Sequence, residues 1–121
     1  MRYLILIPTN AGRWATLPQS ERDRRLDEHI AFTRSIIASG EHIDGAVLSV
    51  PSAARTVRLR DGAVEVTDGP LTESEEYLGG YYLVECASDD RAAEIAARVP
   101  DARLGPVEVR SLKTITGLMV R

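Results

Sequence analysis

The chain changes twice between the two-residue period of a strand and the 3.6-residue period of a helix, and this order limits its fold. Residues 2–7 are β-prone and end at Pro8. Residues 20–39 then carry apolar residues at helical spacing and end at Gly40. Ser20 is the candidate cap of this helix, and Thr16, two residues before Pro18, is the competing one. The stripe contains Leu26, Ile30, Thr33 and Ile37, with Phe32 and Ile36 beside it. A β-prone segment at residues 43–50 follows, so the first half is predicted as strand, helix and strand.

The second half repeats this order after a predicted β-hairpin. Strands at residues 56–60 and 64–67 are joined by Asp61-Gly62, a pair typical of a tight hairpin turn. The strand of residues 81–86 leads to a helix that Ser88 caps and Pro100 ends, and residues 107–112 form a last strand. The acidic residues 73–76 are expected to form a loop or a single helical turn, and residues 113–121 fit no pattern.

Two β-α-β halves on one antiparallel sheet predict a single domain over residues 1–121 with the ferredoxin-like α+β fold. The hairpin is inserted near the middle, and both helices are expected on one face of the sheet. The other face is partly apolar and has no cover of its own. Because a second copy of the sheet is the simplest cover, we expect a homodimer.

The composition narrows the classes of partner and location. The net charge of −3 argues against nucleic acid, which is bound through clustered Lys and Arg. No stretch approaches 18 apolar residues, so no membrane span is predicted, and the apolar run near the start is too short for a signal peptide. Cys86 is the single cysteine, so no disulfide can form within the chain, and a reducing cytoplasm is the expected location.

Motifs spread along the chain carry a family resemblance. They are Thr56-Val57-Arg58, Val66-Thr67-Asp68-Gly69-Pro70-Leu71, the acidic residues 73–76 and Leu78-Gly79-Gly80-Tyr81-Tyr82-Leu83, together with the opening strand, the break at Gly40, and residues 100–112 with Gly105 and Val107-Glu108-Val109-Arg110. With these motifs the chain resembles the YCII-related family in its DGPF-type branch. Two positions depart from the pattern: Leu71 stands where Phe is usual, and Ser74-Glu75 stand where Thr-Lys is usual.

The resemblance implies a ferredoxin-like fold, a dimer of the α/β-barrel kind, and a cleft between sheet and helices that can hold a small molecule. It implies no single activity, because the wider superfamily includes lactone-handling isomerases and dehalogenases. Members of the DGPF-type branch are also inferred, from gene neighbourhood, to work with extracytoplasmic-function sigma factors. The absence of the usual lysine argues against an ammonium-dependent role for the acidic loop.

His29 is the strongest candidate for acid/base chemistry, because it lies inside the apolar arc of the first long helix and should face the sheet. Related proteins pair a histidine on this helix with an acidic residue that precedes the proline after the second helix, and that position is Val99 here. Asp101 is close in sequence but is expected to point differently, and Asp68 in the Asp-Gly-Pro turn is the other candidate partner. An imidazole beside a carboxylate is a general acid/base unit. The structural alternatives are a core-edge histidine and a carboxylate that only stabilises a turn.

Further residues are candidates for binding a ligand, and each has a structural alternative on the surface or in the core. They are Arg22 and Arg25 before His29, Trp14 as a lid, Glu73 with Glu76 three residues later, and the neighbours Tyr81 and Tyr82. At most one of the two tyrosines should enter the cleft, because neighbouring side chains alternate across a strand. His42 is expected to be structural. No zinc-ligand spacing, phosphate loop or dinucleotide fingerprint occurs, so neither a metal nor a cofactor is predicted.

Three interpretations follow from these residues. The first is an enzyme of the isomerase, lyase or hydrolase type that uses no cofactor and acts on a small acidic or lactone-like metabolite, with His29 moving a proton and Asp68 orienting it or the substrate. The second is a module that binds a small molecule or a protein partner without catalysis. The third is a closed cleft, with the dimer interface as the functional surface. A cavity that contains a histidine–carboxylate pair favours the first.

Overall fold

A computed structural model describes residues 1–113 of the chain; the tail beyond them, for which the sequence suggests no structure, lies outside the described residues. Apart from the short helix α1, which was not predicted, the strands and helices follow one another in the predicted order. They are β1 (Arg2–Asn10), α1 (Ala11–Ala15), α2 (Gln19–Ala38), β2 (His42–Val47), β3 (Arg55–Arg60), β4 (Ala63–Asp68), β5 (Glu76–Glu85), α3 (Asp89–Ala97) and β6 (Glu108–Ser111), with short 3-10 turns at Pro51–Ala53 and Pro100–Arg103.

Four strands form one antiparallel sheet in the order β2-β5-β1-β6, and β3 and β4 pair only with each other as a separate hairpin. This confirms the predicted ferredoxin-like α+β fold with an inserted hairpin. The hairpin turns at Asp61 and Gly62, whose φ angles of 50° and 77° are those of the tight turn that an Asp-Gly pair favours. None of the helices within residues 1–113 combines the length and the low charge that crossing a bilayer requires.

The core lies between one face of the sheet and the two long helices. Tyr3, Ile5 and Ile7 alternate along β1 with half-exposed residues, and Tyr82 and Val84 do the same along β5. Helices α2 and α3 cover this face with Phe32, Ile36, Ala92, Ile95 and Ala96. The opposite face, which includes Leu4, Leu6, Tyr81 and Leu83, is only half-buried.

Helix α2 is rotated relative to the prediction. Its buried residues are Phe32 and Ile36, whereas Leu26, Ile30 and Ile37 of the predicted stripe are 59%, 42% and 56% exposed. Phe32 and Ile36 lie four residues apart and reach the centre of the sheet, where Phe32 contacts the ring of Tyr82 edge-on. The helix also begins at Gln19 with Pro18 as its N-cap, because proline fits the extended backbone before a helix.

A β-bulge interrupts the pairing of β1 with β5. Ile7 pairs with Gly80 and Pro8 pairs with Leu78, so Gly79 is an extra residue on β5. A side chain at Gly79 would meet Thr9 Oγ1 at 1.9 Å, which no real contact allows. Gly80 is also crowded, because a Cβ added to it would lie 2.8 Å from the carbonyl oxygen of Ala46. Close approach of neighbouring strands therefore explains both glycines.

The hairpin β3–β4 has one apolar side that nothing within residues 1–113 covers. Val57, Leu59, Val64 and Val66 lie on this side and are 55–70% exposed. The following Asp-Gly-Pro segment is held by two hydrogen bonds: Gly69 N–H donates to the Ala54 carbonyl (2.7 Å), and Thr56 Oγ1 donates to the Gly69 carbonyl (2.9 Å). Gly69 has a φ of 109°, a conformation that glycine alone adopts readily.

Candidate functional site

His29 lies on the face of α2 that is turned towards the sheet, as predicted, and both of its ring nitrogens are engaged. Nδ1 lies 2.7 Å from the hydroxyl oxygen of Tyr82, and Nε2 lies 2.5 Å from Oδ1 of Asp101. The His29 and Asp101 side chains are 27% and 29% exposed, so the pair is reachable by a small molecule. The three groups form a continuous chain from β5 through α2 to the turn after α3.

The prediction that Asp101 points away from His29 is wrong. Val99, which occupies the position of the family's acidic residue, is fully buried in the core. After Val99 the chain enters the 3-10 turn Pro100–Arg103, with proline at its first position. This tight turn carries Asp101 back across the end of α3 to helix α2, where it takes the role that the sequence suggested for a different position.

The hydrogen-bond chemistry of the cluster determines the imidazole tautomer. An ionised carboxylate can only accept, so His29 donates its Nε2 hydrogen to Asp101 and uses Nδ1 to accept from the Tyr82 hydroxyl. Burial raises the pKa of Tyr82; the hydrogen bond from Thr33 lowers it by less, and the charge of Asp101 adds to the rise, so this hydroxyl stays protonated. Thr33 Oγ1 donates to the His29 carbonyl (2.8 Å) and lies 3.4 Å from Tyr82 Oη.

This cluster lies on the wall of a cavity of about 720 Å³ between α2, the sheet and the turns that flank them. A volume of this size is typical of small-molecule sites in proteins. Trp14, Arg22, Arg25, Tyr81 and Tyr82 also line it, so five of the six residues suggested for ligand binding share one space. Tyr82 is the tyrosine that reaches His29, whereas Tyr81 lies on the opposite face of β5 and only borders the cavity, in agreement with the expected alternation.

The structure does not bring Asp68 to His29. Asp68 ends β4 on the separate hairpin, its side chain is 92% exposed, and its carboxylate lies 3.8 Å from Arg55. Because no residue of β3 or β4 lines the cavity, Asp68 is not the partner of His29 in this chain, and Asp101 replaces it in that position. Among the described residues the Asp68 carboxylate forms no hydrogen bond to the backbone of the turn, so the turn-stabilising alternative does not describe it either.

Glu73 is also separated from the cluster, because it is exposed in the loop before β5 and does not line the cavity. Glu76 begins β5 instead of extending a helical turn, lies on the cavity wall, and has Arg13 at 3.6 Å. The two glutamates therefore do not form a carboxylate pair on one helical face. Among the described residues, no three His, Cys, Asp or Glu side chains are grouped closely enough to hold a metal ion.

The cavity also contains elements that the sequence analysis missed. Helix α1 replaces the predicted loop after β1, with the Asn10 side chain accepting from the Arg13 N–H at 3.0 Å as a cap. Arg103 lines the cavity and pairs with Glu28 of α2. The pattern Val-Pro-Asp after a helix was the available signal for Asp101, since proline there favours a turn that reverses the chain.

Comparisons with known proteins agree with this description. The YCII-related domain model matches residues 1–116. A protein of Rhizobium meliloti (strain 1021), the uncharacterized protein R00369, is 32% identical over 114 residues, which are 93% of this chain and 92% of that protein. Among solved structures, the 5-chloro-2-hydroxyhydroquinone dehydrochlorinase TftG from Burkholderia phenoliruptrix AC1100, in complex with 2,5-dihydroxybenzoquinone, superposes with a TM-score of 0.54 at 16% identity, over 93% of this chain and 94% of that one. The chain therefore belongs to the YCII-related family.

Proposed function

We propose that this protein is an acid/base enzyme that needs no cofactor and acts on a small acidic or lactone-like metabolite in the cavity beside His29. The observation that carries the proposal is the 2.5 Å contact between His29 Nε2 and Asp101 on the wall of that cavity. A carboxylate that accepts from one imidazole nitrogen holds the ring in one tautomer and stabilises the imidazolium that forms when the other nitrogen takes a proton.

The proposed proton transfer takes place at Nδ1. In the resting protein the Tyr82 hydroxyl donates to this nitrogen. A substrate that displaces the hydroxyl meets a basic nitrogen whose opposite side is held by Asp101. His29 then removes a proton from the substrate carbon or hydroxyl, and the same imidazolium returns it at another atom, as in an isomerisation, or to a leaving group, as in an elimination.

The structural neighbour gives modest support to a small-molecule substrate. TftG is named as a dehydrochlorinase, and its structure holds 2,5-dihydroxybenzoquinone. At 16% identity the likeness concerns the fold, so the nature of the substrate has to come from this chain's own residues. A cavity of about 720 Å³ is large enough for a single substituted ring.

We also propose that the protein works as a homodimer in the cytoplasm, without nucleic-acid or membrane partners. The half-buried sheet face with Leu4, Leu6 and Leu83, and the uncovered apolar side of the hairpin, are surfaces that a second copy would cover. The net charge of −3 is unsuited to a phosphate backbone, and the single cysteine, Cys86, is buried and forms no disulfide within the chain.

The test is a turnover screen with lactones, hydroxy acids and halogenated ring compounds, in which each hit is repeated with His29→Ala and Asp101→Asn. We expect both variants to lose about two to four orders of magnitude in kcat/KM. The matched control is Asp27→Asn, which removes an exposed carboxylate from the same helix and should leave turnover unchanged. Equal turnover by His29→Ala and the wild type would exclude His29 as the proton-transfer group.

A second function, a non-catalytic module that holds a small molecule or works with a sigma factor, is favoured by one observation. Both nitrogens of His29 are already bonded within the protein, so the resting imidazole has no free lone pair. This function predicts saturable binding of the screened compounds without turnover, and binding that survives His29→Ala.

A further inference from the structure

Arg22 differs from the other arginines on the cavity wall in its hydrogen bonds and ion pairs. It lies in the first turn of α2, lines the cavity, and has its guanidinium carbon 5.7 Å from the centre of the Trp14 ring. Its Nη2 donates to the Ala15 carbonyl at 3.0 Å. Its Nε is shielded from solvent and has no hydrogen-bond acceptor within the described part of the chain.

The other arginines of the cavity wall each have a carboxylate partner. Arg13 lies 3.6 Å from Glu76, Arg25 lies 3.5 Å from Glu21, and Arg103 pairs with Glu28. Arg22 forms no ion pair within residues 1–113. Its charge therefore has no ion-pair partner among these residues, and the carboxylates of Asp23, Glu76 and Asp101 lie elsewhere on the cavity wall.

Two features make this an attractive position for an anion. A shielded donor without an acceptor is unfavourable, and a carboxylate oxygen would satisfy it while pairing with the guanidinium in a planar, two-point contact. Helix α2 has Pro18 as its N-cap and no side-chain cap, so the positive end of its dipole adds to the potential around Arg22. The guanidinium is the main attraction for an anion, and the helix dipole only adds to it.

Arg22 and His29 line the same cavity. The two residues are seven apart on α2, so their side chains lie on nearly one face, and their backbones are about 10 Å apart along the helix axis. A one-ring acid is small enough for the cavity of about 720 Å³ that both residues line.

We propose that Arg22 anchors the carboxylate of a small one-ring acid, and that Trp14 moves off the guanidinium when the acid binds, so that Nε gains its acceptor. The role of His29 on the bound acid rests on the proposed function, whereas the anchoring itself does not. Trp14 is 42% exposed and belongs to a helix of five residues, so its displacement uncovers little apolar surface.

Trp14 makes the test direct, because it is the single tryptophan of the chain. Its fluorescence is titrated with benzoate and with benzamide, which has the same shape without the charge. Benzoate should give a saturable change with a dissociation constant of about 1 mM or lower, and benzamide should bind about tenfold more weakly or not at all. Arg22→Gln should weaken benzoate binding about tenfold or more, and Arg22→Lys should recover part of it.

The control is Arg24→Gln, which removes an exposed guanidinium of the same helix that pairs with Glu21 and Glu28 and does not line the cavity. It should bind benzoate like the wild type. Because Arg22→Gln also alters the surroundings of Trp14, calorimetric titration provides a second readout, and circular dichroism verifies the fold of each variant.

Equal affinity for benzoate and benzamide, no saturable binding of benzoate, or unchanged binding by folded Arg22→Gln would each overturn the proposal. Failure of the proposed function looks different, since benzoate binding through Arg22 would persist in a protein that turns over nothing. Conversely, turnover that is lost in His29→Ala but unchanged in Arg22→Gln would contradict the role of Arg22 as carboxylate anchor. The proposed acid/base function would not be affected by that result.

Discussion

Asp101 accepts a hydrogen bond from His29 Nε2 across 72 residues of sequence, at 2.5 Å. The pair joins the turn after α3 to the middle of α2. The resemblance to the family implies an acidic partner two residues before Asp101, at the position of Val99. In this chain the imidazole therefore has its carboxylate partner at Asp101, while Val99 is part of the core. The tautomer of His29 depends on this contact.

Replacing Asp101 with Asn should change that tautomer. The amide nitrogen can donate to Nε2, so the ring hydrogen is expected to move to Nδ1, with the Tyr82 hydroxyl becoming an acceptor. Side-chain ¹⁵N NMR spectra distinguish the two forms, with His42 as an internal reference. Asp27→Asn should leave the signals of His29 unchanged, and a wild-type protein whose His29 carries its hydrogen on Nδ1 would contradict the assignment.

Tyr82→Phe should lower the free energy of unfolding by about 1 kcal/mol, because Nδ1 of His29 loses its donor while the ring packing on Phe32 stays. Urea denaturation followed by circular dichroism measures the loss. The matched variant is Tyr81→Phe, whose hydroxyl has no hydrogen-bond partner among the described residues; it should change stability by less than about 0.5 kcal/mol. Equal losses in the two variants would argue against the Tyr82–His29 bond.

Gly79→Ala should destabilise the fold by about 1–3 kcal/mol, because the new methyl group meets the side chain of Thr9. Since the Thr9 Cβ itself lies 2.7 Å from the added carbon, the rescuing change is Thr9→Gly. The double variant should therefore be more stable than the sum of the single losses, as a double-mutant cycle measures. Gly105→Ala, which meets nothing within 4 Å, is the control; strict additivity would show that the crowding lies elsewhere.

Glu41 gives the fold a pH dependence in the acid range. The hydrogen bonds from Arg91, at 2.8 and 2.9 Å, lower the pKa of this carboxyl from its ordinary 4.5 to about 2. Because the folded-state pKa is lower than the unfolded one, the stabilisation is complete above about pH 4.5 and is lost as the pH falls towards 2.

Glu41→Gln should therefore cost about 1 kcal/mol at pH 7 and much less near pH 2.5, as measured by urea denaturation at both pH values. Glu94→Gln is the matched variant, because Glu94 approaches the same arginine at 3.9 Å from an exposed position. Its effect should be small at both pH values. A loss in Glu41→Gln that stayed constant with pH would contradict the ion-pair explanation.

The proposed dimer predicts that the protein sediments at twice its monomer mass. Leu83→Arg places a charge on the half-buried sheet face and should yield a monomer, because burying an unpaired charge at an interface is costly. Ala93→Arg, on the exposed side of α3, should remain dimeric. A monomeric wild type at micromolar concentration in analytical ultracentrifugation would contradict the proposal.

The order and type of the main elements could be predicted because each has a local signal. Asp61-Gly62 marks the hairpin turn, Ser88 caps α3 by accepting from the Arg91 N–H, and Gly40 ends α2 with a φ of 79°. Helix α1 could not be predicted, because five residues with Trp14 as their one large apolar side chain are too short to show a period.

The site could be predicted only in part. His29 was identified because its position on a helical projection depends on local geometry alone. Its partner was not, because the direction of Asp101 depends on how a 3-10 turn packs against a helix 72 residues away in sequence. The buried face of α2 was assigned to the wrong stripe for a similar reason, since the apolar arc is broad and packing on Tyr82 selects Phe32 and Ile36.

Because Gly79 is an extra residue in β5, the alternation of side chains between the two faces of the strand shifts by one position there. On one side of it the alternation presents Gly80, Tyr82 and Val84 to the helices, and on the other side it presents Tyr77 to the cavity while Leu78 stays off the wall. If Gly79 instead took a regular place in the pairing, the segment before it would be inverted, because side chains alternate with a period of two. Leu78 would then replace Tyr77 on the cavity wall, so a single backbone unit sets the polarity of that wall without contributing a side chain to it.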